Sequence, residues 1–267
     1  MTDSDTFQNL SGLIAQVEHC WPIGHVTAAW RIKRGLVNET YRLSSADRKE
    51  YILRLYHPDI KSGRIRNEHE LLHRLDQVAF SLAPRLIAPI EPPTWKPLKS
   101  SHDDPRYMAL MTYLTGKDRY TWDGPPAHAS AAKALGNAMA RYHQAIQGWW
   151  TRQADPATGE AQVLQRLAGT LKTEPLAVST LKALRSALQS GDRRPWPTLV
   201  VHGDFHAANV RWRGERITGV FDFEYADLNW RLYDVGMAGA YLATGWAPSN
   251  EGVLQLNQLQ AFLDGYE

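Results

Sequence analysis

The hydrophobic period of this chain changes partway along, and that change limits the folds open to it. In KEYILRLYHP, Tyr51, Leu53 and Leu55 alternate with Ile52, Arg54 and Tyr56, the period of two expected of a pleated strand. With WRIKRGLVNETYRLSS before it and a turn around Asp47, the segment reads as two or three strands. Arg54 and Ile52 then share a face. After Pro58 the spacing becomes helical: in NEHELLHRLDQVAF, Leu71, Leu72, Leu75, Val78 and Ala79 follow one turn after Glu68, and Pro84 closes the element. RYMALMTYLTG returns to strand through Met108, Leu110 and Thr112, and Gly116 with the polar KDRYTWDGPP forms a join. From Ala127 onward helix dominates. Leu135, Ala138, Met139, Tyr142 and Ile146 predict one amphipathic helix, and Leu181, Leu184 and Leu188 a second, with turn signals in GWWTRQADPATGE between them. Only TLVVHGD, NVRW and RITGVFDF interrupt as short strands. A strand-rich part followed by a helix-rich part is an α+β arrangement.

Composition narrows the partners. Lys+Arg 30 against Asp+Glu 28 leaves a formal charge of only +2, without the basic footprint of a dedicated nucleic-acid or membrane-surface binder. No apolar run approaches the roughly 20 residues of a membrane span. The start, MTDSDTFQNLSG, has neither the basic nor the apolar part of a signal peptide. A single cysteine, Cys20, excludes an internal disulfide and a Cys-rich zinc site, which suits a reducing cytoplasm. Most of the 10 Trp, Trp149 and Trp150 among them, are read as packing.

The densest polar cluster is VHGDFHAANV, with His202, Asp204, His206 and Asn209, followed 18 positions after Asp204 by Asp222 in VFDFEYAD. One hydrophobic strand runs into an acid-bearing loop, and another ends in an acid. Strands lying side by side would bring the two loops together, with Asp204 as a base and Asn209 and Asp222 holding a hard cation by oxygen. Such a donor pair suits Mg²⁺, which binds one or two carboxylates and completes its shell with phosphate oxygens and water. Glu224 shares the strand parity of Asp222 and would point the same way as a second metal contact or a substrate acid. Asp227 and Trp230 would line the same mouth. His202 and His206 also admit a metallohydrolase reading, although the helical H-E-x-x-H template is absent and the chain offers no compelling third ligand.

H-x-D-x-x-x-x-N followed by a strand-end D-F-x resembles the catalytic and metal loops of the protein-kinase fold, and HGDFHAAN with FDFE resembles its small-molecule branch, the aminoglycoside phosphotransferase and choline kinase family. The resemblance implies a two-lobed α+β fold, with residues 1–113 as the nucleotide-binding lobe and 114–267 as the catalytic and acceptor-binding lobe. It implies ATP and Mg²⁺ as cofactors and a small-molecule hydroxyl as acceptor. Asp204 corresponds to the base, Asn209 and Asp222 to the Mg²⁺ ligands, His202 to the loop-bracing histidine, and Asp234 in RLYDVGMA to the buried acid that fixes the catalytic loop. Ile52-Leu53-Arg54 occupies the strand that usually carries a phosphate-gripping lysine, and Glu68 matches its helix partner. Here the cation is Arg54, which keeps the charge with a different geometry.

G-x-x-N-x-T-Y in RGLVNETY is a thin glycine loop with only Gly35, resembling homoserine-kinase-like members, and backbone amides around Asn38 and Glu39 would cover the phosphates. LMTYLTG resembles the hinge, where Met111, Thr112 and Tyr113 would meet adenine. The acids Asp123, Glu224 and Asp227, with His206 nearby, suit an amine-bearing acceptor: an amino alcohol, a homoserine-like amino acid or an aminoglycoside. A kinase-fold binding or regulatory protein with weak turnover, or a kinase of protein serine or threonine, are the alternatives. Family members continue through further helices beyond the Asp234 helix. Val253, Leu254, Leu256, Leu259, Phe262 and Leu263 are therefore expected to leave apolar surface uncovered, as in a homo-oligomer or a longer chain.

Overall fold

A computed structural model describes residues 3–32, 37–98, 106–121, 123–149, 197–246 and 251–267. Gly35, Trp150, the turn segment after it and the helix expected around Leu181, Leu184 and Leu188 lie outside these residues. Two compact units result, one of Met1–Arg119 with Ala208–Glu224, the other of Tyr120–Ala207 with Tyr225–Glu267.

The first unit is built on a five-stranded antiparallel sheet in the order β1-β2-β3-β5-β4, comprising β1 (Val26–Ile32), β2 (Glu39–Ser45), β3 (Glu50–Leu55), β4 (Lys96–Leu98) and β5 (Arg106–Thr112). Helix α1 (Asp3–Cys20) packs on one face, where Val17, Trp21, Leu53, Met108 and Leu110 are fully buried together. Trp21 also donates its indole N–H to the Ile87 carbonyl at 3.0 Å, so its bulk and its polar tip are both satisfied. On the opposite face Ala109 meets Tyr56 and Ile65, the latter from α2 (Ser62–Gln77). This double cover explains why Met108 to Met111 are all buried, a run that alternation alone would not produce. Helix α2 stops earlier than its apolar spacing predicts: Val78 caps it and Ala79 turns left-handed (φ 55°). A two-stranded hairpin completes the unit, pairing β7 (Val210–Arg213) with β8 (Arg216–Val220).

In the second unit α3 (Ala129–Ala145) buries Leu135, Ala138, Met139 and Tyr142, the stripe read from sequence. Helices α4 (Arg231–Ala243) and α5 (Leu256–Tyr266) surround it, and β6 (Thr198–Val201) pairs with β9 (Asp227–Trp230). At Gly136 of α3 an added Cβ would overlap the Phe262 carbonyl oxygen, so α5 lies directly against α3 backbone. This corrects the expectation of a bare C-terminal helix. Phe262 is 1% exposed and Leu259 and Leu263 are half-buried, so of the six residues named only Val253, Leu254 and Leu256 are exposed. The expected pairing of TLVV with RITGV is also replaced. β6 pairs with β9, a strand that the sequence pattern did not assign, and β8 folds back on β7.

Candidate active site

In the first unit the polar centre is Arg54, 8% exposed at the end of β3. Its Nη1 donates to Glu68 Oε1 of α2 at 2.8 Å, and its Nη2 lies 3.3 Å from Asp222 Oδ1. Burial works to strip the guanidinium of its proton, but the charges of Glu68 and Asp222 outweigh it and hold Arg54 more firmly protonated than usual. Burial pushes the Glu68 carboxyl up, with Arg54 and the Tyr56 hydroxyl pulling against it. Tyr56 Oη donates to Glu68 Oε2 at 2.8 Å.

The hairpin brings Asn209 and Asp222 to one end. Asn209 closes a single 3₁₀ turn (Ala207–Asn209), its carbonyl accepts from the Phe221 amide at 3.0 Å, and Val210 pairs with Val220. Asp222 follows in a left-handed conformation (φ 71°), unusual for a residue with a side chain. A 3₁₀ turn (Phe223–Tyr225) comes next, so the strand parity expected to align Glu224 with Asp222 does not exist, because β8 has ended at Val220. Instead Glu224 Oε2 accepts from Asn38 Nδ2, and Asn38 Oδ1 accepts from the His57 amide. Burial, then the neighbouring charge of Asp222, push the Glu224 carboxyl up.

Three carboxylates thus surround one guanidinium, and Asp222 Oδ1 is buried without a hydrogen-bond partner. An excess of buried anionic oxygen, one carboxylate atom ion-paired but not hydrogen-bonded, and the amide of Asn209, 8% exposed, form a donor set that fits a hard divalent cation. Among the described residues no cluster of three or more His, Cys, Asp or Glu side chains is placed to hold a metal. A cation held by Asn209 and Asp222 would have room in its shell for phosphate oxygens and water, the ligands Mg²⁺ favours.

Along the segment expected to form the hinge, Ile52 pairs with Met111, which is buried, and the Thr112 amide donates to the Arg85 carbonyl at 2.9 Å. The Arg42 guanidinium stacks 4.5 Å from the centre of the Tyr113 ring.

In the second unit β6 runs into His202-Gly203-Asp204. Asp234, fully buried in the first turn of α4, accepts from the His202 amide at 2.7 Å, the Gly203 amide at 3.0 Å and His143 Nε2 at 3.0 Å. Burial alone would push its carboxyl up, but the His143 bond and the facing His202 hold it below the ordinary range. His143 Nδ1 is 2.7 Å from Tyr266 Oη of α5. Because an ionised carboxylate only accepts, His143 Nε2 carries a proton and donates it to Asp234. His202 is fully buried edge-on against Phe205, and its Nδ1 accepts from the Asp204 amide at 3.3 Å. A zinc-ligand role would have to break that bond. His206 Nε2 lies 3.4 Å from Asp204 Oδ2, its ring against Tyr241. Asp227 and Asp123 are exposed, Asp227 on β9. Sequence reading missed Tyr56, His143 and Tyr266. Tyr56 shares the parity of Arg54 and so was within reach, whereas the other two become polar partners only through helix packing.

The description of the phosphotransferase enzyme family (APH) matches residues 30–267. The chain belongs to this family. Its sequence is 26% identical over 257 residues to a homoserine kinase of Sinorhizobium medicae (strain WSM419), covering 92% of this chain and 72% of that one. It is 27% identical over 254 residues to a homoserine kinase of Methylobacillus flagellatus, with the same coverage, 92% and 72%. Among solved structures, amicoumacin kinase hAmiN in complex with AMP-PNP, Ca²⁺ and Ami superposes with a TM-score of 0.69 at 14% identity, covering 99% of this chain and 80% of that one. The microcompartment-associated aminopropanol kinase gives 0.64 at 18% identity, with 96% and 80% covered. This APH-family chain has the protein-kinase-like α+β fold and is an ATP-dependent small-molecule kinase with an alcohol group as acceptor.

Proposed function

We propose that this phosphotransferase moves the γ-phosphate of ATP to the hydroxyl of a small amine-bearing molecule, a homoserine-like amino acid or an amino alcohol, with Asp204 as the base. Residues 1–113 bind the nucleotide in this reading, and 114–267 carry catalysis and the acceptor. The observation that carries it is the loop anchorage: Asp234 accepts two consecutive amides, from His202 and Gly203, immediately before Asp204. A base whose backbone is held this way loses little freedom when it takes a proton from a positioned hydroxyl. Bound Mg²⁺ would neutralise charge on the transferring phosphates. Asn209 and Asp222 would hold that ion. Arg54 would grip phosphate, and Glu68 and Asp222 would keep its guanidinium charged and aimed.

The homoserine kinases among the relatives and the G-x-x-N-x-T-Y loop support an amino-acid acceptor, and the fold shared with an aminopropanol kinase supports an amino alcohol. ADP release should be screened with homoserine, amino alcohols, aminoglycosides and sugars in turn. The first two classes are expected to stimulate it. Asp204→Asn is expected to lower the stimulated rate by roughly a hundred- to ten-thousandfold while calorimetric ATP affinity stays within about twofold. A variant of full activity would remove Asp204 from the mechanism.

A further inference from the structure

Arg54 ends in a rigid planar fork whose donors leave in fixed directions, so its aim follows the position of the carboxylates it bonds. Its immediate partner, Glu68, has two oxygens. Oε1 takes the Arg54 bond, and Oε2 takes the Tyr56 hydroxyl, which is fully buried at 0% exposure. Tyr56 stands two residues after Arg54, on the same side of β3 extended, and both therefore reach α2.

The Tyr56 hydroxyl is itself oriented. Its one proton goes to Glu68, because an ionised carboxylate only accepts. The oxygen must then accept from His69 Nε2, 3.0 Å away. With that proton on Nε2, His69 Nδ1 is the acceptor, and Thr94 Oγ1, 2.5 Å from it, is the donor. The ring is pinned by Trp95 edge-on at 5.6 Å. Burial, then the charge of Arg54, drive the His69 pKa down to about 3, so the ring is neutral and this single proton pattern holds. A directed chain results, running from half-buried Thr94 through His69 and Tyr56 to Glu68, where it meets Arg54 from the other side.

We propose that Tyr56 is a positioning residue for the phosphate clamp: with its hydroxyl direction set by His69 and Thr94, it locks Glu68 so that the Arg54 guanidinium stays aimed beside Asp222. Without the Tyr56 hydroxyl, Glu68 Oε2 is a buried acceptor with no donor, a costly state that the carboxylate escapes by rotating or by taking up a proton. Either response releases Arg54. A tyrosine serving packing alone would leave Glu68 and Arg54 untouched when replaced by phenylalanine, which fills the same volume.

This inference rests on the ATP-binding reading of the Arg54 cluster, and ATP binding by calorimetry in Mg²⁺ buffer tests it without any acceptor. Tyr56→Phe is expected to weaken ATP binding by roughly five- to tenfold. In a Glu68→Gln background the same change is expected to matter less than twofold, because its target is already gone. In the steady state the loss should fall on the KM for ATP and leave kcat within about twofold. Equal effects of Tyr56→Phe in both backgrounds, or unchanged affinity, would overturn the role. Should Tyr56→Phe fail to fold, Thr94→Val decides at the half-buried end of the chain: a two- to threefold weaker affinity supports the relay, and wild-type affinity overturns it. A wild-type chain that binds no ATP would instead overturn the proposed nucleotide site itself.

Discussion

Asp204 is preceded by a residue that has to be glycine. Gly203 adopts φ 79°, and an added Cβ would overlap the Tyr225 carbonyl oxygen. The left-handed backbone costs a side chain about 1 kcal/mol or more, and the overlap adds to it. Gly203→Ala is therefore expected to destabilise the fold by about 2–3 kcal/mol, read as a lower urea midpoint, and to lower turnover by displacing Asp204. An unchanged midpoint would show that the loop yields without cost. Asp222 meets the same backbone penalty with a side chain in place (φ 71°). Its left-handed turn, two residues past the end of β8, leads into the 3₁₀ turn from which Glu224 meets Asn38, a partner that strand parity did not name. Arg54 was legible as a cation at a strand position. That it is buried and bonded between two acids depended on what packs around β3.

Helix pairing decides the second unit. α5 approaches α3 so closely at Gly136 that the α3 backbone meets the Phe262 carbonyl, and the approach seats Phe262 and brings Tyr266 to His143. Gly136→Ala gains helix propensity, worth up to about 1 kcal/mol, but must push α5 away. The overpacking penalty of about 1–3 kcal/mol wins, so a net loss of stability is expected in urea denaturation, and a more stable variant would show that the crossing is loose. The α3 stripe was readable because burial on one side of a helix leaves a 3.6-residue imprint. Strand partners were not readable: β6, β8 and β9 are each only four or five residues long, and nothing local in such short runs selects one neighbour over another.

For the molecule as a whole, His69 predicts an acid sensitivity. Folded, its pKa is about 3, whereas an unfolded histidine titrates near 6.5. Between those values the unfolded chain binds a proton that the folded chain refuses. The stability from keeping His69 neutral is thus fully present above about pH 6.5 and is lost as pH falls, at up to about 1.4 kcal/mol per pH unit. The wild type should lose urea resistance between pH 7 and pH 5 more steeply than His69→Gln, a comparison that cancels the carboxylates common to both. Parallel profiles would mean that His69 is charged in the folded state.

The strand-to-helix change of period, the H-x-D-x-x-x-x-N spacing and the following Asp222 are local patterns, and local patterns carried the α+β class, the family and the chemistry of phosphoryl transfer. Backbone geometry imprints on neighbouring residues, and catalytic loops impose short fixed spacings, so both survive in one dimension. The docking of α5, the pairing of β6 with β9, the Glu224–Asn38 bond and the chain from Thr94 to Glu68 join residues far apart in sequence. Their partners are selected by packing and by the need to satisfy buried polar atoms, and those constraints exist only once the chain has folded.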